Sequence, residues 1–251
     1  MSLPKEPRQK MINMMYLVLT ALLALNVSAE IINAFKVVDN SLKQSNTVLS
    51  SSTNTIYENF AEMLKDPKTA EKAAIWKPKA DKSRELAKQT SDLIEKYKLD
   101  LMKEAGYDPS KGDSSFKEDN IDAATRLFDT KGEGIKLYSA LENFKKEVLA
   151  IDPAIAKELG NKIPLNLDVP KSATGKKSTG DKVKDWTYSN FHMTPTVAAL
   201  TMLSKFQNDV KNTESQVATY CANQVGSVKI IYDKFVPLVS TNSTYFMPGE
   251  E

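Results

Sequence analysis

The chain has a single cysteine, Cys221, and a single histidine, His192, in 251 residues. One cysteine excludes an intramolecular disulfide, and together the two residues exclude a zinc site that needs several Cys or His ligands. A metal enzyme is therefore not expected, although lacking paired cysteines does not decide the compartment. Charge of one sign is missing too: 34 basic residues face 32 acidic ones, leaving a formal net charge of +2. No general positive field exists to hold nucleic acid by counterion release. Also absent are a Gly-rich phosphate loop, a nucleophile elbow, a metal-ligand cluster and a carboxylate pair that stands out for acid-base work. His192 shows no evident catalytic partner, and no enzymatic activity and no cofactor are expected. What remains is an ordinary folding composition, 41% hydrophobic and 26% charged, enough for one large or two small domains.

Glycine and proline are missing altogether between Arg8 and Asp66. Pro7 suits the first turn of a helix and Pro67 suits its stop, so one helix is expected to run the whole way, a rod on the order of 90 Å. Within it, MINMMYLVLTALLALNVSA, Met11 to Ala29, carries no charge. That length crosses a hydrocarbon core of about 30 Å as a helix. Lys5, Arg8 and Lys10 precede it, with Glu6 the sole acid, and this basic excess places the N-terminus in the cytoplasm. Val27-Ser28-Ala29 also satisfies the rule for signal-peptide cleavage, but the apolar run is longer than the usual 7 to 15 residues of such leaders. An uncleaved anchor is the favoured reading, with a cleaved helical binding protein as the alternative. A single-span sensor is disfavoured, because only about ten residues precede the span and leave no room for an output domain.

Beyond the span, Phe35, Leu42, Leu49, Ile56 and Met63 recur every seven residues, as a helix-packing seam requires. A second seam, Ile31 and Val38 giving way to Ser45, Ser52 and Asn59, is weaker. Inside the span Thr20, Ala24 and Ser28 form a stripe of small residues that admits a neighbouring helix backbone. Asn13, Tyr16 and Thr20 place polar groups on an adjoining face. Arg8 and Glu30 bracket the span, 22 residues or roughly 33 Å apart along a helix, each near one interface. An ionisable group enclosed there by partner helices needs an opposite charge, and its protonation becomes linked to movement.

The expected fold is all-α: a transmembrane helix continuing into a periplasmic helical bundle, with a short β-like C-terminal linker. Residues 1–10 are read as cytoplasmic, 11–30 as the membrane helix, 31–225 as the periplasmic helical domain and 226–251 as an extended linker opening a further domain. Thr69 to Glu104 reads as helical, with Pro78 marking a break and Leu86, Thr90, Leu93, Ile94, Tyr97 and Leu101 on one face. Helices are expected over Asp119–Asp129 and Glu133–Ile151, the latter with Leu137, Leu141, Phe144, Val148 and Ile151 alternating by four and three along one face. Asp152-Pro153 fits an N-cap and first helical position for a short helix ending near Gly160. Residues 161–193 lack helical periodicity, and PKSATGKKSTGDK within them reads as a solvated loop. Thr194-Pro195 opens a last long helix that buries Val197, Leu200, Leu203, Phe206, Val210, Val217 and Cys221, the cysteine being a small core residue rather than a nucleophile. From Gly226 the pattern VKIIYDKFVPLVSTNSTYF reads as extended.

The segment PRQKMINMMYLVLTALLALNVSAEIINAF, Pro7 to Phe35, resembles the start of the GldM/PorM family, motor subunits of gliding motility and type IX secretion in Bacteroidetes. The likeness extends more loosely through the helical region and returns in NSTYFMPGEE, which resembles the junction between that family's first periplasmic domain and its next. The resemblance implies a subunit that dimerises, with its membrane helices inside a ring of GldL/PorL-type subunits and a periplasmic region reaching toward outer-membrane components. It further implies drive by the proton-motive force and an acid of the partner in the membrane that meets the arginine of the PRQK motif. That position is Arg8 here, and the motif tyrosine is Tyr16. Glu30 falls in the same stretch as an interfacial acid. The family is longer than this chain, with further β-rich periplasmic domains.

Overall fold

In a computed structural model, described for residues 7–108, 116–169 and 180–226, with the side chains of 21–28 excepted, the chain is all-helical, and no strand occurs among the described residues. The absence of Gly and Pro is realised as α1, Pro7–Met63, unbroken over 57 residues. It stops before Pro67, where the Asp66 carboxylate accepts from the Lys68 amide at 3.0 Å and the Thr69 hydroxyl donates to the Met63 carbonyl at 2.6 Å. The chain then reverses into α2, Ala70–Glu104. Pro78 does not break this helix; it lies inside it, on an exposed position. Only one backbone hydrogen bond is forfeited there. Ala73, Ala80, Ala87, Ile94 and Leu101, buried at strict seven-residue spacing on both sides of the proline, hold the helix to its neighbours.

A short α3, Asp122–Ala124, passes into a π-helical turn, Thr125–Thr130, and then α4, Glu133–Ala150. Gly132 takes φ 74° at the start of α4, and Gly134 is required by proximity, since a Cβ there would lie 2.3 Å from the Thr187 methyl. In α5, Pro153–Leu159, the expected cap is present: the Asp152 carboxylate accepts from the Ala154 amide at 2.7 Å. Periodicity failed to reveal α6, Lys182–Phe191, inside the stretch read as irregular. It is only 10 residues long and is fixed instead by its cap, where the Asp181 carboxylate accepts from Val183 and Lys184, and by burial of Trp186 and Phe191. The last helix, α7, runs Thr196–Gly226. Of the expected β-like linker, residues 226–251, Gly226 is the last residue of α7 and 227–251 lie outside the described residues, as do 170–179 of the polar loop.

α7 is the central element. Its hydrogen-bonding partners on α1 rise in number with its own, from Phe35 with Thr201 to Ser50 with Lys211, so these two helices run parallel. α2 runs antiparallel to α1, with Tyr57 meeting Ala80 just past the reversal. On the far side of α7 lies an aromatic core. Phe128 stacks on Phe191 with ring centroids 4.1 Å apart, and Trp186 meets Tyr138 at 5.2 Å and Phe206 at 5.4 Å. Leu137, Leu141, Val148, Ile155 and Leu165 are fully buried around them.

Candidate functional site: the first helix and its polar seam

Arg8, Asn13, Tyr16, Thr20 and Glu30 all lie on α1 with exposed side chains, and Arg8 and Glu30 stand about six turns apart on that helix. The Thr20 hydroxyl donates back to the Tyr16 carbonyl at 2.9 Å and lies 3.0 Å from that of Leu17. Its donor is thus satisfied within the helix, which lets threonine sit among apolar groups. The side chains of Ala24 and Ser28 lie outside the described residues. Met11, Met14, Met15, Leu17, Val18 and Leu19 are exposed over a broad apolar face, and Asn13, Tyr16 and Thr20 occupy the remaining side of the helix. Among the described residues no helix is long and apolar enough to cross a membrane, and the undescribed side chains 21–28 fall within the stretch Met11–Ala29 expected to do so.

Further along, α1 meets α7 through an unusual seam. The expected apolar row Phe35, Leu42, Leu49, Ile56 and Met63 is half-buried at it. The second row is not the one expected: Ile31, Val38, Ser45, Ser52 and Asn59 are all exposed, and the buried row is Asp39, Asn46, Thr53 and Phe60. Together the two true rows alternate by four and three, the register of a helix seam. Polar side chains are tolerated there because α7 answers them. Ser204 donates to Asp39 at 2.5 Å, and the other Asp39 oxygen accepts from Lys43 at 2.7 Å. The Asn208 amide donates to Asn46 Oδ1 at 2.9 Å and to Ser45 at 3.0 Å, and Lys211 donates to Ser50 at 2.7 Å. Thr201 reaches the Phe35 carbonyl at 3.3 Å. The pairing is incomplete: the Asn46 amide nitrogen is buried without a partner, a deficit of about 1–3 kcal/mol.

At the far end of the seam, Tyr57 donates to the Ala80 carbonyl at 3.0 Å while Arg84 lies over its ring at 4.5 Å and donates to Asn54 at 3.0 Å. Burial raises the Glu214 carboxyl above the ordinary range, with Arg84, the Tyr57 hydrogen bond and Lys211 opposing. Burial, then the neighbouring Glu214 charge, pushes the Tyr57 hydroxyl up as well. Asp209 is likewise raised by burial against the pull of Lys205, 2.8 Å away. Cys221 is fully buried and its thiol is pushed up to about 12 by burial, so it is not poised as a nucleophile.

His192 does have a partner that spacing did not reveal: its Nδ1 lies 3.0 Å from the Asp129 carboxylate, and Tyr188 stacks on its ring at 4.0 Å. Sixty-three residues separate the two. Among the described residues no group of three or more His, Cys, Asp and Glu side chains is placed to hold a metal ion.

The profile described as the GldM N-terminal domain matches residues 30–224. The chain belongs to the GldM family. That family is a gliding-motility and type IX secretion component and not a known enzyme family. The matched stretch of this GldM-family chain runs from Glu30 to the last turn of α7, taking in the whole polar seam, while Arg8, Asn13, Tyr16, Thr20, Ala24 and Ser28 precede it. No curated protein matches the chain.

Proposed function

We propose that this chain is the membrane subunit of a proton-motive-force-driven rotary motor that powers type IX secretion and gliding. In this reading α1 carries motion from the inner membrane into the periplasm. The observation that carries it is the single helix α1, whose first turns expose a broad apolar face and whose later turns are locked to α7. An exposed apolar face this wide requires an apolar surround, and the polar side of Asn13, Tyr16 and Thr20 suits a neighbouring protein helix. Residues 11–30 would supply the single membrane pass, with the N-terminus cytoplasmic and the bundle periplasmic. Two such helices, one from each copy of a homodimer, would stand inside a ring of GldL/PorL-type subunits. The periplasmic part would connect onward to outer-membrane-associated components.

In the proposed cycle, a proton arriving on a carboxylate of the ring weakens its attraction to Arg8. An enclosed guanidinium that loses its counter-charge is strongly disfavoured, so the charge state of the partner selects between helix arrangements. The ring and helix pair then turn relative to each other, and Tyr16 and Glu30 contact the ring along the same helix. Replacing Arg8 with Ala is expected to leave the complex assembled while stopping proton-driven motion. Cells carrying Arg8→Ala that secrete and glide normally would disprove the coupling. Sequencing the N-terminus of the purified protein separates this reading from a cleaved binding protein, which would begin at Glu30.

A further inference from the structure

Where α1, α2 and the first turns of α7 converge, a cavity of about 600 Å³ opens beside the first polar rung. Leu99, Met102, Phe116, Val197 and Leu200 give it an apolar lining. Its rim holds three ammonium–carboxylate pairs: Lys36 with Glu118 at 2.8 Å, Lys43 with Asp39 at 2.7 Å, and Lys98 with Glu95 at 3.1 Å. Lys98 is nearly buried, and its Nζ also donates to Gln207 at 2.6 Å. An ammonium has three donors, so one is left for a ligand.

The chemistry of the occupant follows from this lining. The volume falls within the range of small-molecule sites, about 300–1,000 Å³. An apolar lining gives a free ion nothing to bind. A purely anionic amphiphile would bring its charge against the carboxylates of Asp39, Glu95 and Glu118 with nothing to offset them. A zwitterion can instead enter a pair and exchange partner for partner, its anion taking the lysine and its cation the carboxylate. Lys36 follows Ala29 by seven residues, roughly 10 Å along the helix axis. If residues 11–30 span the bilayer, the cavity stands just above the leaflet from which α1 emerges. We infer that this cavity binds a zwitterionic aminophospholipid of that leaflet. Its phosphate meets Lys98 and Lys36, its ammonium meets Glu95 and Glu118, and the start of an acyl chain lies on Leu99, Met102 and Leu200.

The inference rests on the membrane reading of α1, and one experiment separates the two. The full chain is reconstituted in phosphatidylglycerol vesicles carrying a trace of phosphatidylethanolamine with a diazirine on its acyl chain. After irradiation, cross-linked residues are mapped by mass spectrometry. The expected result is labelling at Leu99, Met102 or Leu200 in addition to residues 11–29. Leu200→Trp, which fills the cavity, and Lys98→Gln should each lower the cavity labelling about tenfold while leaving labelling of 11–29 unchanged. Helical content by circular dichroism verifies that both variants fold. Soluble phosphoethanolamine should not compete, because it lacks the chain that the apolar lining receives. Labelling confined to 11–29 overturns the lipid site and leaves the membrane reading standing. Absence of labelling at 11–29 overturns the membrane reading itself. Equal cavity labelling by a phosphatidylglycerol probe overturns the zwitterionic assignment, and labelling undiminished in Leu200→Trp overturns the cavity as the lipid site.

Discussion

The two sides of α7 are built on opposite principles. One side joins the aromatic core, with Phe206 against Trp186 and with Leu203, Val210 and Val217 fully buried. The other meets α1 through Thr201, Ser204, Asn208 and Lys211. Apolar burial is strong and non-directional, roughly 25 cal/mol per Å², and tolerates small shifts in register. Polar rungs contribute less net stability, but each demands its own partner, so a slip of one turn between α1 and α7 would unpair all of them together. The core therefore holds the bundle together, and the seam sets where the rod sits against it. For a helix proposed to carry motion, a fixed position matters more than a strong grip.

The largest effect should come from the core. Phe128 is fully buried on the π-helical turn, stacked on Phe191 and 5.8 Å from Tyr97. Phe128→Ala is expected to lower stability by about 3–5 kcal/mol, read from urea denaturation. The seam should respond differently. Asp39→Ala strips Ser204 and Lys43 of their shared acceptor and should lower stability by about 1–3 kcal/mol. Replacing Asn46 and Asn208 together with Leu removes both members of a rung, along with the orphaned Asn46 amide, and should leave stability within about 1 kcal/mol of the parent or raise it. The position of the rod should then blur. Spin labels on Val48→Cys and Thr219→Cys, both exposed positions, would show a broadened distance distribution, and the buried Cys221 would not compete for label. A double-Leu variant that keeps one sharp distance would show that the apolar row alone fixes the register.

The comparison extends to pH, with opposite signs. Glu214 and Asp209 of α7 are raised by burial. Their contribution to stability is fully present below the unfolded carboxylate range and is lost as pH rises through the folded values. Away from the seam, Glu104, Glu133 and Asp152 are lowered chiefly by hydrogen bonds from Lys131, Lys136 and Lys79. Their contribution is present above the unfolded range and is lost as pH falls through the folded values. Glu214→Gln should therefore flatten the decline of the urea midpoint on the neutral side, and Asp152→Asn should flatten the decline on the acid side. Matching changes in both variants would erase the distinction.

Much of this frame was legible in the sequence, for reasons that differ by element. A stretch without Gly or Pro from Arg8 to Asp66 left α1 little alternative to a single helix. The Asp152-Pro153 cap and the buried faces of α4 and α7 depend on local pattern alone. Pro78 misled because the penalty for one missing backbone hydrogen bond is local, whereas the alanines packed on either side act through other helices. The second seam was misassigned for a related reason. Read from α1 alone, Asp39 and Asn46 look solvent-facing, and only the hydroxyl and amide groups of a helix some 160 residues away make them interior. Asp181 was the available signal for α6, since an acidic residue after Gly180 suits a cap. Of the proposed contact residues, Arg8, Tyr16 and Glu30 came from a sequence likeness, and the polar rungs behind them came only from the fold.

The smallest expected effect lies at the turn that feeds α7 into both interfaces. Met193 has φ 49°, the one positive value at a non-glycine residue among those described, although its side chain is 62% exposed and buries little in return. Its amide donates to the Thr125 hydroxyl at 2.8 Å, and the preceding His192 is held by Asp129. Both partners sit on the π-helical turn, so the left-handed backbone is held by contacts on the core side. A left-handed conformation in an ordinary residue costs about 1–2 kcal/mol, whereas glycine adopts it freely but gives the unfolded chain roughly 0.5–1 kcal/mol of extra entropy. Met193→Gly should therefore raise stability by at most about 1 kcal/mol, while Met193→Val, branched at Cβ, should lower it by a similar amount or more. If the strain is held from the core side alone, neither variant should move the spin-label distance between positions 48 and 219. A shift in that distance with Met193→Gly would mean that the turn also helps to set the register of the seam.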